Sequence, residues 1–211
     1  MGKYYLTTPI YYVNAKPHLG HAYTTIVSDA LARWHRMLGD DVYFLTGTDE
    51  HGLKIQQAAD AAGTSPKEFA DSIAPLFQQA WQRLNISNDD FIRTTEQRHK
   101  IGVAELLQRC HDAGDIELDV YRGKYCVACE EYYTDDELDE GDLCRIHKRK
   151  VEYYEEENYF FRLSRFQQRL LDWYAAHPGA IKPEFRGNEA LGLIRGGLRD
   201  FTVSRTSLQW G

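Results

Sequence analysis

The chain has 211 residues, a formal net charge of −7, 43% hydrophobic residues and 27% charged residues, a composition typical of a soluble globular protein. This length allows a sizeable core and one domain with an appended or inserted module. The negative charge argues against nucleic-acid binding through overall charge, although residues 145–150 (RIHKRK) form a local basic stretch. No run approaches the roughly 18 apolar residues of a membrane span, and the start has neither a secretory nor a myristoylation signal. We therefore expect a cytoplasmic protein without a membrane partner.

The first part of the chain alternates between strand-like and helix-like segments. The strand-like segments, rich in β-branched and aromatic residues, are residues 3–10, 42–45 and 90–95. Three helices are predicted: the first begins at about Leu19, the second follows an N-cap at Ser65, and the third ends at Gly114. This alternation predicts an α/β fold: the first half of a Rossmann-like, doubly wound parallel sheet.

Two of the predicted helices carry an apolar stripe that we expect to face the core. In the first helix the stripe consists of Val27, Ala30, Leu31, Trp34 and Leu38. In the second helix, which begins with a capping box from Ser65 to Glu68, it consists of Phe69, Ile73, Leu76, Phe77, Ala80 and Leu84.

The composition changes after Gly114. Residues 115–163 are rich in tyrosine and acidic residues, lack helical periodicity and are predicted to form an inserted β-rich module. Helical patterning returns at residues 164–176 and within residues 188–199, before the strand-like segment FTVS. We therefore divide the chain into residues 1–114, 115–163 and 164–211.

Two histidines, His18 and His21, follow the first predicted strand with Gly20 between them. In a doubly wound sheet, ligands bind where strand ends meet helix N-termini, and the backbone N–H groups there favour an anion. A spacing of three places both imidazoles on one side of the turn, where they could bind a phosphate chain and stabilise its charge during transfer. Gly20 would let a ligand approach the backbone.

Asp49 follows the second predicted strand and would lie across the same crevice. Its carboxylate could bind an ammonium group or a ribose hydroxyl. The alternatives are that the two histidines merely cap a helix beside Pro17, and that the segment DEHG is a solvated turn.

Three of the four cysteines lie in a short window with metal-ligand spacing. Cys126 and Cys129 form one pair, Cys144 and His147 form another, and two residues separate the members of each pair. Three thiolates and one imidazole suit a structural Zn²⁺ in a closed tetrahedral site, and the polar segment between the pairs would fold poorly without metal. The alternatives are reduced, unliganded cysteines or a catalytic zinc. Cys110 is interpreted as a buried small hydrophobe.

Together, the segments TTPIYYVNAKPHLGH and FLTGTDEHG and the Cys/Cys/Cys/His pattern resemble the methionyl-tRNA synthetases, class I aminoacyl-tRNA synthetases, in their bacterial single-zinc form. The resemblance covers the whole chain, including LRDFTVSR near its end. It implies that residues 1–114 are the first half of a Rossmann catalytic domain and residues 115–163 a zinc-binding connective insertion. Residues 164–211 would be the helical rest of the connective region, leading back toward the Rossmann fold.

The resemblance also implies the activity of a methionine–tRNA ligase. Such an enzyme activates L-methionine with ATP to methionyl-adenylate and transfers the amino acid to tRNA(Met), with Mg²⁺ on the phosphates and one structural Zn²⁺. His18 and His21 would be the catalytic residues, contacting the ATP phosphates and stabilising the departing pyrophosphate. Gly20 would belong to the same ATP site and leave room for the adenine.

The resemblance assigns methionine to a second group of residues. Asp49 would bind the methionine ammonium, helped by the backbone of Ile10, and Tyr12 would form a wall of the side-chain pocket. Arg205 matches an arginine that the family places near the active site.

The family's second signature, Lys-Met-Ser-Lys-Ser, has no counterpart in this sequence, nor has its helical anticodon-binding domain or the methionine pocket beyond QWG. We therefore expect an N-terminal fragment, with a C-terminal half missing from this chain, an unpaired sheet edge and little or no activity alone. Two other functions stay open: another H-x-G-H nucleotidyltransferase, against which the zinc-bearing insertion argues, and a non-catalytic zinc-stapled tRNA-binding module, which the acidic charge weakens.

Overall fold

The structure is a computed structural model that describes residues 2–126, 129, 131–204 and 209–210. Its contacts divide the chain into two compact units, residues 1–105 with 208–211 and residues 106–207. Among the described helices, none is long and apolar enough to cross a bilayer. The division at residues 114 and 163 stays a prediction.

The first unit is built on a parallel sheet of four strands. Its elements are β1 (Lys3–Thr7), β2 (Tyr11–Tyr12), α1 (Leu19–Met37), β3 (Asp41–Asp49), α2 (Leu53–Ala62), α3 (Pro66–Arg83), β4 (Asp90–Arg93) and α4 (Gln97–Asp112), which continues into the second unit. Leu45 of β3 pairs with both Thr7 of β1 and Asp90 of β4, so β3 is central, and β2 pairs with the end of β3. The predicted α/β class and parallel sheet are confirmed.

Gly47 lies where β3 and β4 approach each other closely. A Cβ at this position would lie 2.0 Å from the carbonyl oxygen of Ile92. Any side chain there would force the two strands apart. A glycine therefore interrupts an otherwise apolar and β-branched strand.

Helix α1 packs with a different face from the one that its apolar spacing predicts. Its buried residues are Thr25, Ser28, Asp29 and Ala32, whereas the predicted stripe of Val27, Ala30, Leu31, Trp34 and Leu38 is exposed. The polar face can be buried because its groups have partners. The carboxylate of Asp29 accepts hydrogen bonds from the backbone N–H of Ser87 at 2.7 Å and from its hydroxyl at 2.6 Å. The predicted orientation of α1 was therefore wrong.

Helix α3 agrees better with its sequence pattern than the short helix before it. The capping box is present, because the Ser65 hydroxyl accepts from the Glu68 N–H and the Glu68 carboxylate accepts from the Ser65 N–H. Phe77 is buried as predicted, but the buried face also includes Ala70, Ala74 and Trp81, and Leu84 is exposed. Helix α2 was not predicted, because its N-cap residue is Gly52, which has a positive φ of 104° and offers no capping side chain.

The second unit is β-rich and ends in two helices and a short strand. Its elements are β5 (Ile116–Cys126), β6 (Glu131–Tyr133), β7 (Leu138–Asp139), β8 (Leu143–Cys144), β9 (Glu152–Phe161), α5 (Gln167–Ala176), α6 (Glu184–Arg195) and β10 (Phe201–Thr202), with 3₁₀ helices at Asp135–Glu137 and Leu163–Phe166. β10, β9, β5 and β6 form an antiparallel sheet in this order, and β7 pairs with β8. The helix expected within residues 188–199 begins and ends earlier than predicted, at α6.

Candidate active site and metal centre

His18 and His21 cap the start of α1 reciprocally. His18 is the N-cap residue, and its Nδ1 accepts a hydrogen bond from the backbone N–H of Gly20 at 3.1 Å. The Nδ1 of His21 accepts one from the backbone N–H of His18 at 3.2 Å. A ring nitrogen that accepts a hydrogen bond carries no proton, so each neutral imidazole has its proton on Nε2. The capping role weighed from the sequence thus leaves both Nε2–H groups available as donors for a ligand.

The His21 ring is enclosed by other rings. It stacks on His18 at a centroid distance of 3.8 Å, and Tyr11 and Phe77 lie 4.8 and 5.3 Å from it. Burial, with a smaller effect of the neighbouring His18, lowers the pKa of His21, which favours the neutral ring near pH 7. Gly20 makes room for this arrangement, because a Cβ there would lie 2.9 Å from Cε1 of His18.

Asp49 lies at the end of β3 beside Tyr12 of β2. These two residues are partners in the sheet register, and the backbone N–H of Val13 donates to the Asp49 carbonyl at 3.4 Å. Tyr12 and Ile10 are 47% and 41% exposed, so both offer apolar surface to a ligand. Burial raises the pKa of Asp49, against the opposing hydrogen bond from the His51 backbone.

The short strand β2 lies next to both the histidine turn and Asp49. Tyr11 packs on His21, and the next residue, Tyr12, pairs with Asp49. The histidine turn and Asp49 therefore lie at the same edge of the sheet, the carboxyl end of its parallel strands. This is the edge where ligands bind in open α/β sheets.

Glu50 is fully buried, so the alternative that DEHG is a solvated turn was wrong. Its carboxylate accepts hydrogen bonds from Arg93 at 2.7 and 2.9 Å and from the Thr48 hydroxyl at 2.7 Å. Burial alone would raise the pKa of Glu50, but these hydrogen bonds and one from Thr95 lower it. An ionised, fully paired carboxylate therefore supports the segment that carries Asp49.

Trp210 contacts the same segment from the other end of the sequence. Its indole N–H donates to the carbonyl of Glu50, and its own carbonyl accepts from the Gly52 N–H at 2.9 Å. The ring lies 5.3 Å from that of His51. Trp210 therefore covers one side of the turn that follows β3.

In the second unit, the four predicted ligands come together. The candidate ligand atoms of Cys126, Cys129, Cys144 and His147 all lie within 4.8 Å of one another. The Sγ of Cys129 lies 3.1 Å from both the Sγ of Cys144 and Nδ1 of His147, and all cysteines are free thiols. Three sulfurs and one imidazole nitrogen that converge in this way fit a single metal ion.

The sulfur of Cys144 is prepared to act as a thiolate. The backbone N–H of His147 donates to it at 3.4 Å, and this contact, with smaller effects of Cys129, the Ile146 backbone and Cys126, lowers the pKa of the thiol. Cys126 and Cys144 are buried together with Leu138 and Val151. The cluster thus combines thiolate-stabilising donors with an apolar shield, as structural metal sites do.

Comparison with known proteins identifies the family. The family model described as "tRNA synthetases class I (M)" matches residues 4–141 and 136–211. The chain belongs to this family. It is 55% identical over 207 residues to the methionine–tRNA ligase of Thermosynechococcus vestitus and 50% identical over 212 residues to that of Thermotoga maritima. These alignments cover 98% and 99% of this chain, but only 39% and 34% of the two relatives.

Solved structures of the family agree with the fold. The methionyl-tRNA synthetase of Mycobacterium tuberculosis in complex with methionyl-adenylate superposes with a TM-score of 0.93 at 47% identity, covering 100% of this chain and 42% of that one. The apo form of the same synthetase gives a TM-score of 0.79 at 43% identity, covering 100% of this chain and 40% of that one. The chain therefore spans well under half the length of these members of the class I family.

Among the predicted site residues of this family member, Arg205 lies outside the described residues. Cys110 is half-buried on α4. The sequence pattern indicated no role for Glu50 or Arg93, whereas the resemblance placed Trp210, within QWG, in the methionine pocket. The one signal for the first two was that the third predicted strand ends in polar residues, RTT, at the position that DEHG occupies after the second.

Proposed function

We propose that this chain carries the amino-acid-activating site of a methionine–tRNA ligase. In the first step the carboxylate of L-methionine attacks the α-phosphate of ATP, releasing pyrophosphate and leaving methionyl-adenylate. In the second step methionine is transferred to tRNA(Met). The observation that carries the proposal is the pair of Nε2–H donors at the N-terminus of α1, in a chain that belongs to the class I (M) family.

The two histidines fit the first step through the position of their ring N–H groups. A phosphate chain accepts hydrogen bonds, and the Nε2–H groups of His18 and His21 can donate them. They would contact the ATP phosphates as pyrophosphate departs, at a helix N-terminus that already favours an anion. Gly20 would keep this turn open beside the nucleotide. Mg²⁺ would accompany the ATP phosphates.

Methionine would bind at the other part of the crevice. The carboxylate of Asp49 would bind its ammonium group, with the backbone of Ile10, and Tyr12 would line its apolar side chain. The register pairing of Tyr12 with Asp49 supports this assignment, because it puts an acidic and an aromatic group side by side. Arg205 stays a proposed active-site residue on sequence grounds.

We assign a structural Zn²⁺ to Cys126, Cys129, Cys144 and His147. The metal would hold the two ligand pairs together and supply stability that the surrounding polar segment lacks. The proposed divisions of the chain are a first Rossmann half at residues 1–114, the zinc-binding insertion at 115–163 and a helical connective part at 164–211. The reaction requires tRNA(Met), so we place the protein in the cytoplasm, where tRNA is charged.

The test is methionine-dependent exchange of labelled pyrophosphate into ATP. It is run on this chain alone, and with the remaining part of a methionine–tRNA ligase supplied in trans. We expect exchange with the added part, and loss of more than about 100-fold in the His21→Ala variant. A matched control is His111→Ala, which removes an exposed histidine that lies on α4 within the second unit.

A calorimetric titration with a non-hydrolysable methionyl-adenylate analogue separates binding from chemistry. We expect the chain to bind this analogue and the Asp49→Asn variant to bind it at least tenfold more weakly. Exchange that is unchanged by His21→Ala, or that is equally reduced by His111→Ala, would contradict the assigned role. No exchange in either arrangement, combined with tRNA binding by the chain, would favour the zinc-stapled tRNA-binding module instead.

A further inference from the structure

Tyr11 is nearly fully buried, at 6% exposure, directly behind the His21 imidazole. It is therefore not available to touch a substrate. Its ring is stacked parallel to Phe77 at 5.8 Å and meets Trp81 edge-on at 5.8 Å. The aromatic ring is thus fixed by the core of the first unit on the sides that do not face His21.

The hydroxyl of Tyr11 extends this contact to the backbone of α1. It lies 2.8 Å from the hydroxyl of Thr25, and Thr25 in turn donates to the carbonyl of His21 at 2.9 Å. The single hydroxyl hydrogen of Thr25 is used in the bond to His21, so Tyr11 must be the donor to Thr25. The direct distance from the Tyr11 hydroxyl to the same carbonyl is 3.5 Å, which is too long for the main bond.

We infer that Tyr11 is a positioning residue, which holds the His21 imidazole from behind through its ring and holds the first turn of α1 through the Tyr11–Thr25–His21 hydrogen-bond chain. The inference rests on the proposed function, because it assigns a role within the same reaction. His21 is otherwise held by a single backbone hydrogen bond, by the Phe77 ring at 5.3 Å and by His18, which is itself at the surface. Without Tyr11, the Nε2–H of His21 would have more than one orientation available.

This arrangement explains a feature of the neighbouring sequence. Tyr11 and Tyr12 are adjacent in β2, and successive side chains in a strand point to opposite faces. Tyr11 is buried and Tyr12 is half exposed, so one tyrosine supports the phosphate-binding histidine and the next is presented to the proposed methionine site. The pair YY thus serves the two substrates from opposite faces of one short strand.

The first test is spectroscopic and needs no substrate. Long-range ¹H–¹⁵N spectra of the histidine-labelled chain distinguish a protonated from an unprotonated ring nitrogen. We expect His21 to show a bare Nδ1 and a protonated Nε2. In Tyr11→Phe the chain of hydroxyls is broken, and in Tyr11→Leu the ring is also removed, so the two His21 signals should move toward an averaged position, more in Tyr11→Leu.

The second test is kinetic and uses pyrophosphate exchange in the complete enzyme. We expect Tyr11→Phe to lower kcat about fivefold, as for one buried hydrogen bond, and Tyr11→Leu to lower it about 100-fold, as for a misplaced catalytic group. The KM for methionine should change less than twofold in Tyr11→Phe. Thr25→Val, which removes the middle hydroxyl of the same chain, should reproduce the effect of Tyr11→Phe.

Thr46→Val is the matched control, because it removes another buried hydroxyl pair of the first unit, the 2.7 Å contact between Thr46 and Thr8. It should leave the His21 spectrum and kcat unchanged. Wild-type His21 signals in Tyr11→Leu, a raised KM with unchanged kcat, or an equal loss in Thr46→Val would each overturn the inference. Absence of exchange in the wild-type enzyme would instead contradict the proposed function, and the spectra would still decide whether Tyr11 positions His21.

Discussion

The two candidate sites of this chain are supported in opposite ways. Around the metal cluster the buried residues are Cys126, Leu138, Cys144 and Val151, so two of the ligands are themselves the local core. The histidine turn instead rests on a cluster of larger side chains, which comprises Tyr11, Val13, Ile55, Ala70, Ala74, Phe77 and Trp81. We therefore expect the first unit to hold the geometry of its site without a ligand, and the cluster in the second unit to depend on the proposed metal.

The largest expected effect is therefore metal removal. Structural zinc contributes on the order of 10 kcal/mol to the folding of small metal-bound modules, more than four small apolar residues can replace. Removing Zn²⁺ with a chelator, or replacing Cys144 by Ala, should abolish amide protection in β7 and β8 and leave β3 protected. Hydrogen exchange followed by mass spectrometry measures both regions in one experiment.

Cys110→Ala is the control for the cysteine substitution, because Cys110 lies outside the four-ligand cluster. It should retain one equivalent of zinc and wild-type exchange. Protected β7 and β8 amides in the metal-free chain would contradict this difference between the two sites, because the local apolar residues would then be enough to fold the segment.

The second-largest expected effect concerns the buried ion pair between Glu50 and Arg93 in the first unit. Glu50→Gln removes the charge of a fully buried carboxylate that is bonded to Arg93 at 2.7 Å, and breaking such a pair costs about 3 kcal/mol. Arg93 keeps Asp71 as a partner at 2.6 Å, which limits the loss. Urea unfolding at pH 7 measures the difference in the free energy of unfolding.

The same substitution has a defined pH dependence. The pKa of Glu50 is lower in the folded chain than its ordinary value of 4.5, so the ionised form stabilises the fold above that pH. This stabilisation is lost as the pH falls through the folded-state pKa. The difference between wild type and Glu50→Gln should be constant from about pH 6 to 8 and shrink below about pH 4.5; a difference that grows in acid would contradict the assignment.

Trp210→Phe should have a smaller effect. The change keeps an aromatic ring but removes the N–H that donates to the Glu50 carbonyl, and one buried hydrogen bond contributes about 1 to 1.5 kcal/mol. We expect a lower melting temperature by roughly 2 to 6 °C for a chain of this size. Trp173→Phe, on helix α5 of the second unit, is the control for loss of an indole. It should leave the Asp49 turn unchanged in hydrogen exchange, and Trp210→Phe should expose it.

The contrast between the sites also explains what could be predicted from the sequence. The metal ligands could be found because ligand type and spacing within residues 126–147 carry the geometry. The order of the longer strands and helices could be found from periodicity, and the histidine turn from its place after a strand, whereas the short elements β2 and α2 were missed. The buried face of α1 could not, because Thr25 and Asp29 are buried only through partners distant in sequence, Tyr11 and Ser87. The same holds for Glu50, whose burial depends on Arg93.

The smallest expected effect compares two capping boxes, one in each unit. Glu68 accepts from the N–H of Ser65 at 3.1 Å, and Glu137 accepts from the N–H of Thr134 at 2.9 Å. Ser65 begins an 18-residue helix, whereas Thr134 precedes a three-residue 3₁₀ turn close in sequence to the metal ligands. The same capping interaction therefore occurs once in the first unit, at the start of a long helix, and once in the second unit, at a short turn.

The two substitutions should therefore have different consequences. Ser65→Ala should lower the free energy of unfolding by about 1 kcal/mol, because the helix it caps is part of the metal-independent core, and Ser72→Ala within the same helix should have a smaller effect. Thr134→Ala should weaken the affinity for the proposed zinc by about fivefold. The same free energy, about 1 kcal/mol, should be lost from the stability of the zinc-loaded second unit but not from that of the metal-free chain. A competition titration with a zinc chelator measures this affinity. A shifted urea midpoint with unchanged zinc affinity would mean that the turn at Thr134 is stabilised independently of the metal, and the contrast between the two sites would not extend to their nearest loops.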